Sequence, residues 1–137
     1  TAYITGSRDA DADFILRNTA KALTSYRQSI YDAELVYEFD FNQLGDAYIS
    51  LEVFGNYLIQ VSTDDKTYTT VYDYSQISDI YVSDMKNNTI LSIFPEDYGA
   101  IAGKLYIRLT NTDPSQEYGG GIRRLYINQK QLVASET

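Results

Sequence analysis

The stretch Asn56–Tyr72, NYLIQVSTDDKTYTTVY, constrains this chain more than any other, because it sets two strand-like runs on either side of one polar turn. Tyr57, Ile59 and Val61 alternate with Leu58, Gln60 and Ser62, the period of two that sends successive side chains to opposite faces of a strand. After Thr63-Asp64-Asp65-Lys66 every residue from Thr67 to Tyr72 is β-branched or aromatic, so the segment reads as a β-hairpin. Nothing in it reads as a reactive arrangement, and it is read as scaffold.

The rest of the chain repeats the pattern. Ala33–Phe41 places Leu35, Tyr37, Phe39 and Phe41 on one face against Val36, Glu38 and Asp40. After a turn at 42–46, Ala47–Phe54 alternates Ala47, Ile49, Leu51 and Val53 with Tyr48, Ser50, Glu52 and Phe54, which predicts a half-buried strand ending at the Gly55-Asn56 turn. Thr89–Phe94, Leu105–Thr110 and Ile122–Asn128 read as strands, with short ones at Tyr3–Thr5 and Ser25–Ile30. Pro95 with Glu96 and Asp97 marks the start of a single helical turn that Gly99 or Gly103 ends. Phe14–Leu23 carries a weak helical period and reads as a short helix or a loop; 73–88 reads as an irregular connection. Many short, half-polar strands separated by turn signals predict an all-β fold, an antiparallel β-sandwich of jelly-roll type, with a closed barrel as second choice. At 137 residues the chain is the size of one module, 1–137.

Composition removes most chemistry. With no Cys and no His there is no disulfide, thiolate nucleophile, His base or ordinary zinc site, and the chain is read as non-catalytic. A net charge of −8 with only 11 Lys and Arg argues against nucleic acid and against anionic membranes as partners. No apolar run is long enough for membrane insertion, and TAYITGSRDADADF lacks a signal core, so a secretion signal is expected outside the segment. Aromatic content is skewed toward Tyr, 14 against 5 Phe and no Trp, which suits half-exposed faces where a ring is apolar and its hydroxyl is wet.

Three places carry candidate binding residues. Asp9, Asp11 and Asp13 have the alternate spacing that opens a calcium loop, but Phe14 stands where that loop needs Gly and Ala20 where it needs a carboxylate. The run therefore reads either as a solvated, helix-capping loop or as a calcium site completed by backbone carbonyls. The segment 111–121 is a long connection in which Tyr118 precedes three glycines; it reads either as a ring presented for stacking on a sugar or as a turn-rich loop. Arg27, beside Tyr26 and close to Tyr31 and Asp32, is the strand arginine best placed for a polar pocket. Asn87-Asn88-Thr89 is a glycosylation sequon of low information, and a paired-carboxylate glycosidase is disfavoured in so small a domain.

The residues NYLIQVSTDDKTYTTVYDY, KLYIRLTNTDPSQEYGGG and IRRLYI together resemble the galactose-binding-like (discoidin-like) β-sandwich superfamily, and YITGSRDADADFIL with LVYEFDF resembles the first strands of modules appended to bacterial glycoside hydrolases. In such modules the hairpin turn typically reads Ser-x-Asp-Gly followed by an aromatic; here Asp65 stands in place of the Gly and Tyr68 in place of the frequent Trp. The resemblance implies a non-catalytic carbohydrate-binding or accessory module of an extracellular bacterial enzyme, with glycan held by loops at one end of the sandwich and, in many relatives, a structural calcium. Set beside the residues singled out above, the glycan candidates are Arg27, Tyr31, Glu117 and Tyr118 with Asp113 as a hydrogen-bond acceptor, and the metal candidates are Asp9, Asp11 and Asp13. Some relatives only pack against a neighbouring catalytic domain, and that is the alternative expectation.

Overall fold

In a computed structural model the described residues are 2–5, 14–18, 21–22, 27–28, 31–74, 89–115 and 119–129. They form eleven strands: β1 (Ala2–Thr5), β2 (Ile15–Asn18), β3 (Lys21–Ala22), β4 (Arg27–Gln28), β5 (Leu35–Asp40), β6 (Ala47–Phe54), β7 (Tyr57–Ser62), β8 (Thr69–Asp73), β9 (Thr89–Ile93), β10 (Lys104–Asn111) and β11 (Gly121–Gln129). Five make one sheet in the order β2-β5-β10-β7-β8, and six make the other, β3-β4-β11-β6-β9 with β1 also on β11. All the pairings are antiparallel. One flank of β11 is shared, Gly121 and Ile122 pairing with β4 and Leu125 to Asn128 pairing with β1.

The core lies between the two sheets and is built from the inward set of each strand. Leu35, Tyr37 and Phe39 of β5 meet Ile49, Leu51 and Val53 of β6, Ile59 and Val61 of β7, Leu105, Ile107 and Leu109 of β10, and Leu125 and Ile127 of β11. Each such side chain contributes about 1.5–3 kcal/mol on leaving water, so the period of two is what fixes register: a slip by one residue would turn every one of them outward.

The long strands fall where the alternation puts them, with four differences. The stretch 15–18, expected as helix or loop, is an edge strand paired with β5, and 21–22 pairs with β4; the weak helical period loses to ladder bonds and to the Phe14 ring, which stacks on Phe39 at 5.4 Å. The 42–46 turn begins as one helical turn, Phe41–Leu44, because the Asp40 carboxylate accepts the Asn42 N–H at 3.0 Å and Gly45, at φ 72°, ends it. The second hairpin arm starts at Thr69 rather than Thr67, leaving a six-residue loop, 63–68. The outer face of β6 is not wet: Ser50, Glu52 and Phe54 are buried, Ser50 hydrogen-bonded to Ser92 and Asn128, Glu52 to Arg124, and Phe54 under the Arg123 guanidinium at 4.9 Å. Arg123 is the extra residue of a bulge in β11, which turns both it and Arg124 outward.

Register sorts the loops into two poles. Lys104 stands opposite Asp40 and Tyr106 opposite Ser62, so loops 41–46, 63–68 and 94–103 share one end, the hairpin pole. Asn111 stands opposite Tyr57 and Gly121 opposite Phe54, so the 55–56 turn, the 112–120 connection and the approach to β5 share the other, the Tyr31 pole. Among the described residues no helix is long and apolar enough to cross a membrane.

Candidate functional site

The Tyr31 pole is organised by one buried side chain. Asn111, the last residue of β10, is 4% exposed, and its amide makes opposite use of its two ends: Nδ2 donates to the Tyr31 carbonyl at 2.6 Å while Oδ1 accepts the Gly120 N–H at 2.8 Å. A carboxamide offers a donor and an acceptor on separate atoms without charge, so it can join two loops in a site that water does not reach. A third segment is tied in through the backbone, the Thr112 N–H donating to the Asn56 carbonyl at 3.1 Å.

The glycines that follow fit closely against this centre. A Cβ on Gly119 would fall 1.8 Å from Asn111 Oδ1, and one on Gly120 would fall 2.4 Å from the Tyr57 Cα. Their role is close backbone approach, which only a residue without a side chain allows. Tyr57 lies beneath, 3% exposed and edge-on to Tyr74 at 5.4 Å; burial, then Tyr74 and Tyr72, pushes its hydroxyl above the ordinary phenol range, so it stays neutral.

On this base Tyr31 is presented outward. Its backbone is left-handed, φ 52°, a conformation that is costly for an aromatic and is held by the bond from Asn111 to its carbonyl. The side chain is 49% exposed, one of only four large hydrophobic residues in the exposed class among the described residues. Two residues beyond Asn111, Asp113 is exposed and stiffens its own turn, Oδ1 accepting from the Ser115 N–H at 3.0 Å and from its hydroxyl at 2.7 Å.

The topology therefore brings three sequence-predicted residues to one pole: Tyr31, Asp113 and the backbone of Arg27, which sits in β4 opposite Ile122. Glu117, Tyr118, Asp9, Asp11 and Asp13 lie outside the described residues. Among the described residues no three acidic side chains converge as a metal site would require. Asn111 was not singled out from sequence; its only local signal is an Asn at the junction of a strand with a glycine-rich loop.

A second polar arrangement covers the outer face of the five-stranded sheet. Arg17, Val36, Arg108, Gln60 and Thr70 form one row across all its strands. Arg108 donates twice to Gln60 Oε1, at 3.0 and 2.6 Å, and Gln60 donates to the Thr70 hydroxyl at 3.1 Å. The hairpin loop folds back onto this row: Tyr68 lies under the Arg108 guanidinium, 4.2 Å from ring centre, and its hydroxyl donates to Asp65, which pairs with Arg17 through two bonds of 2.6 and 2.9 Å. The Arg17 bond holds the Asp65 carboxyl below its usual range, while burial and then Asp65 push the Tyr68 phenol up. Asp65 has φ 60°, so the residue standing in the usual glycine position adopts the backbone a glycine would. Val36, nominally outward, is fully buried between Arg17 and Arg108. This face is internally satisfied, in contrast to the exposed ring of Tyr31.

No family model matches the sequence, and no curated protein matches it. Among solved structures the chain is similar to a family two carbohydrate esterase from Cellvibrio japonicus, at TM-score 0.54 and 11% identity, over 100% of this chain and 36% of that one. It is similar also to a family GH115 4-O-methyl-alpha-glucuronidase with specificity for decorated arabinogalactans, at TM-score 0.52 and 10% identity, over 96% of this chain and 18% of that one. A CBM51 module from Clostridium perfringens GH95, in complex with methyl-galactose, aligns at TM-score 0.47 and 16% identity over 93% of this chain and 92% of that one. The likeness is one of fold: the antiparallel β-sandwich expected from the sequence is observed, and it occurs as a part of carbohydrate-active enzymes.

Proposed function

We propose that the chain is a non-catalytic carbohydrate-binding module of a secreted bacterial carbohydrate-active enzyme, binding glycan at the Tyr31 pole. The observation that carries this reading is Tyr31 itself, an aromatic residue half exposed in the turn before β5, its carbonyl held by a buried Asn111. A tyrosine offers a sugar the apolar face its C–H groups need and a hydroxyl for its polar edge. In this reading Tyr31 supplies stacking and Asp113 accepts from sugar hydroxyls, while Arg27, Glu117 and Tyr118 belong to the proposal through the sequence. The fold shared with parts of two carbohydrate-active enzymes supports it. Affinity electrophoresis in gels containing soluble polysaccharides tests it: wild type should be retarded by at least one of them, and Tyr31→Ala should migrate freely with an unchanged melting midpoint. Equal retardation of the two proteins, or none of either, removes the proposal.

One observation favours a second reading, a domain that packs against a neighbour and binds no sugar. At the hairpin pole Ile101 is 71% exposed on the wall of a cavity of about 300 Å³, whose apolar lining of Phe41, Ala47, Pro95 and Ala102 is joined by Asp46 and Glu96. An apolar side chain so exposed beside a mainly apolar recess with carboxylates among its lining residues is the form of a surface covered by another domain. Glycan binding by the isolated chain would decide for the first reading.

A further inference from the structure

The hairpin pole carries a recess of different character from the one at Ile101. It has a volume of about 330 Å³ and is lined by Val61, Ser62, Thr63, Asp64, Thr67, Thr69 and Tyr98. It is built from the loop between β7 and β8 and from the single helical turn Pro95–Tyr98, which Gly99, at φ 70°, ends. The loop is stiff. Ser62 Oγ accepts the N–H groups of Asp64 and Asp65 at 3.1 and 2.9 Å and donates to Asp64 Oδ1 at 2.8 Å; the same Oδ1 accepts the N–H groups of Lys66 and Thr67 at 2.9 and 3.0 Å. A second set of bonds, from Asp65 to Arg17 and Tyr68, anchors the loop to the sheet.

Two properties of this recess point to a ligand class. Asp64 spends one oxygen on the turn; its Oδ2 and the hydroxyls of Thr63, Thr67 and Thr69, all on exposed residues, have no hydrogen-bonding partner among the described residues and are open to water or a ligand. The recess thus combines an acceptor-only oxygen with three hydroxyls that donate or accept, and Tyr98 adds one half-exposed aromatic wall. The backbone N–H groups of Thr67 and then Lys66 hold the Asp64 carboxyl down to about 2, so the recess keeps a negative charge at any physiological pH and disfavours anions. A purely apolar ligand would leave the carboxylate and the hydroxyls without water or partners. What remains is a neutral ligand with several hydroxyls on an apolar frame. Sites for small molecules run from about 300 to 1,000 Å³, which puts this one at the size of a single sugar ring rather than a chain.

We infer that the recess between the β7–β8 loop and Tyr98 is a second saccharide subsite, at the opposite pole from Tyr31 and independent of it. Asp64 Oδ2 accepts from adjacent hydroxyls of the ring, Thr63, Thr67 and Thr69 complete the hydrogen bonds, and Tyr98 covers one ring face. Because the loop is already ordered by its own bonds, little conformational freedom is lost on binding, which offsets the small contact area. A module with sites at both poles can hold two glycan chains at once, and on an insoluble substrate the second contact raises retention without tighter binding at either site.

The test is a two-dimensional amide NMR titration of the whole chain with the methyl glycosides of galactose, glucose, xylose and arabinose. At least one should shift the amides of Thr63–Thr69 and Tyr98 along a saturating curve in the millimolar range. That curve should be unchanged in Tyr31→Ala and lost in Thr67→Val/Thr69→Val, which conserves side-chain shape and so the fold; Asp64→Asn, which keeps an oxygen for the turn, should weaken it at least tenfold. Shifts that stay linear in sugar, survive the double valine variant, or are confined to the residues around Tyr31 and Asn111 would overturn the inference. Failure of the Tyr31 site would show separately, as an absence of shifts at that pole.

Discussion

The two poles of this sandwich are made rigid by opposite means. At the Tyr31 pole a single uncharged, buried amide joins loops that are distant in sequence, and two glycines let the backbone come close to it. At the hairpin pole order comes from short-range bonds within 62–67 and from an exposed ion pair between Arg17 and Asp65. Buried neutral bonds are costly to leave half made, whereas exposed charged ones are screened by water and salt. The first pole should therefore be sensitive to deletion and indifferent to pH, and the second tolerant of deletion and sensitive to acid.

Gly120→Ala is the harshest challenge to this contrast. The added Cβ would lie 2.4 Å from the Tyr57 Cα, an atom of the backbone that cannot swing aside, and the expected loss is at least about 3 kcal/mol in chemical denaturation. Gly45→Ala at the hairpin pole is the matched comparison: φ is 72° but a Cβ there would touch nothing within 4 Å, so only the left-handed backbone resists, at about 1–2 kcal/mol. Equal costs would remove the distinction between the poles. Asn111→Ala comes next. It leaves the buried Gly120 N–H and the Tyr31 carbonyl unpaired, at about 1–3 kcal/mol for each group that water does not reach. Arg17→Ala should cost no more than about 1 kcal/mol, since that side chain is 41% exposed, and the cost should shrink further in high salt.

Acid gives the smallest and most selective effect. The Asp64 carboxyl is lowered from 3.8 to about 2 on folding, so its contribution is fully present above about pH 4 and is lost as pH falls through 2. Amide exchange in that window should rise at Lys66 and Thr67 while Gly120, whose partner is an uncharged amide, keeps its protection. Parallel loss at both places would contradict the assignment of Asp64 as the local clamp.

Much of the fold was legible because it depends on alternation, a property each strand carries alone. Leu105, Ile107 and Leu109 are buried where the period puts them, and the Pro95 turn ends at Gly99, one of the two glycines its sequence offered. The errors arise where burial depends on what other strands bring. Val36 belongs to the outward set of β5 yet is buried, and its register partners on the two neighbouring strands are the long side chains Arg17 and Arg108; Ser50 and Glu52 are buried where Ser92, Asn128 and Arg124 meet them from adjoining strands. The candidate site was legible in part. Tyr31 could be named from composition and neighbours, but Asn111 bonds to it across 80 residues, and no local pattern records such a contact. Asp65 is the intermediate case, since a residue in the usual glycine position foretells a left-handed backbone but not its pairing with Arg17.

Retention on polysaccharide with and without the Tyr31 ring tests the central claim most directly. The exposed ring contributes little to the core, so Tyr31→Ala should melt within a degree or two of wild type, about the effect of a surface change. If Tyr31 is the stacking platform, that variant should lose most of its affinity for whichever polysaccharide retards the wild type. Retention unchanged by Tyr31→Ala would place the glycan elsewhere and leave the buried Asn111 with a purely structural role.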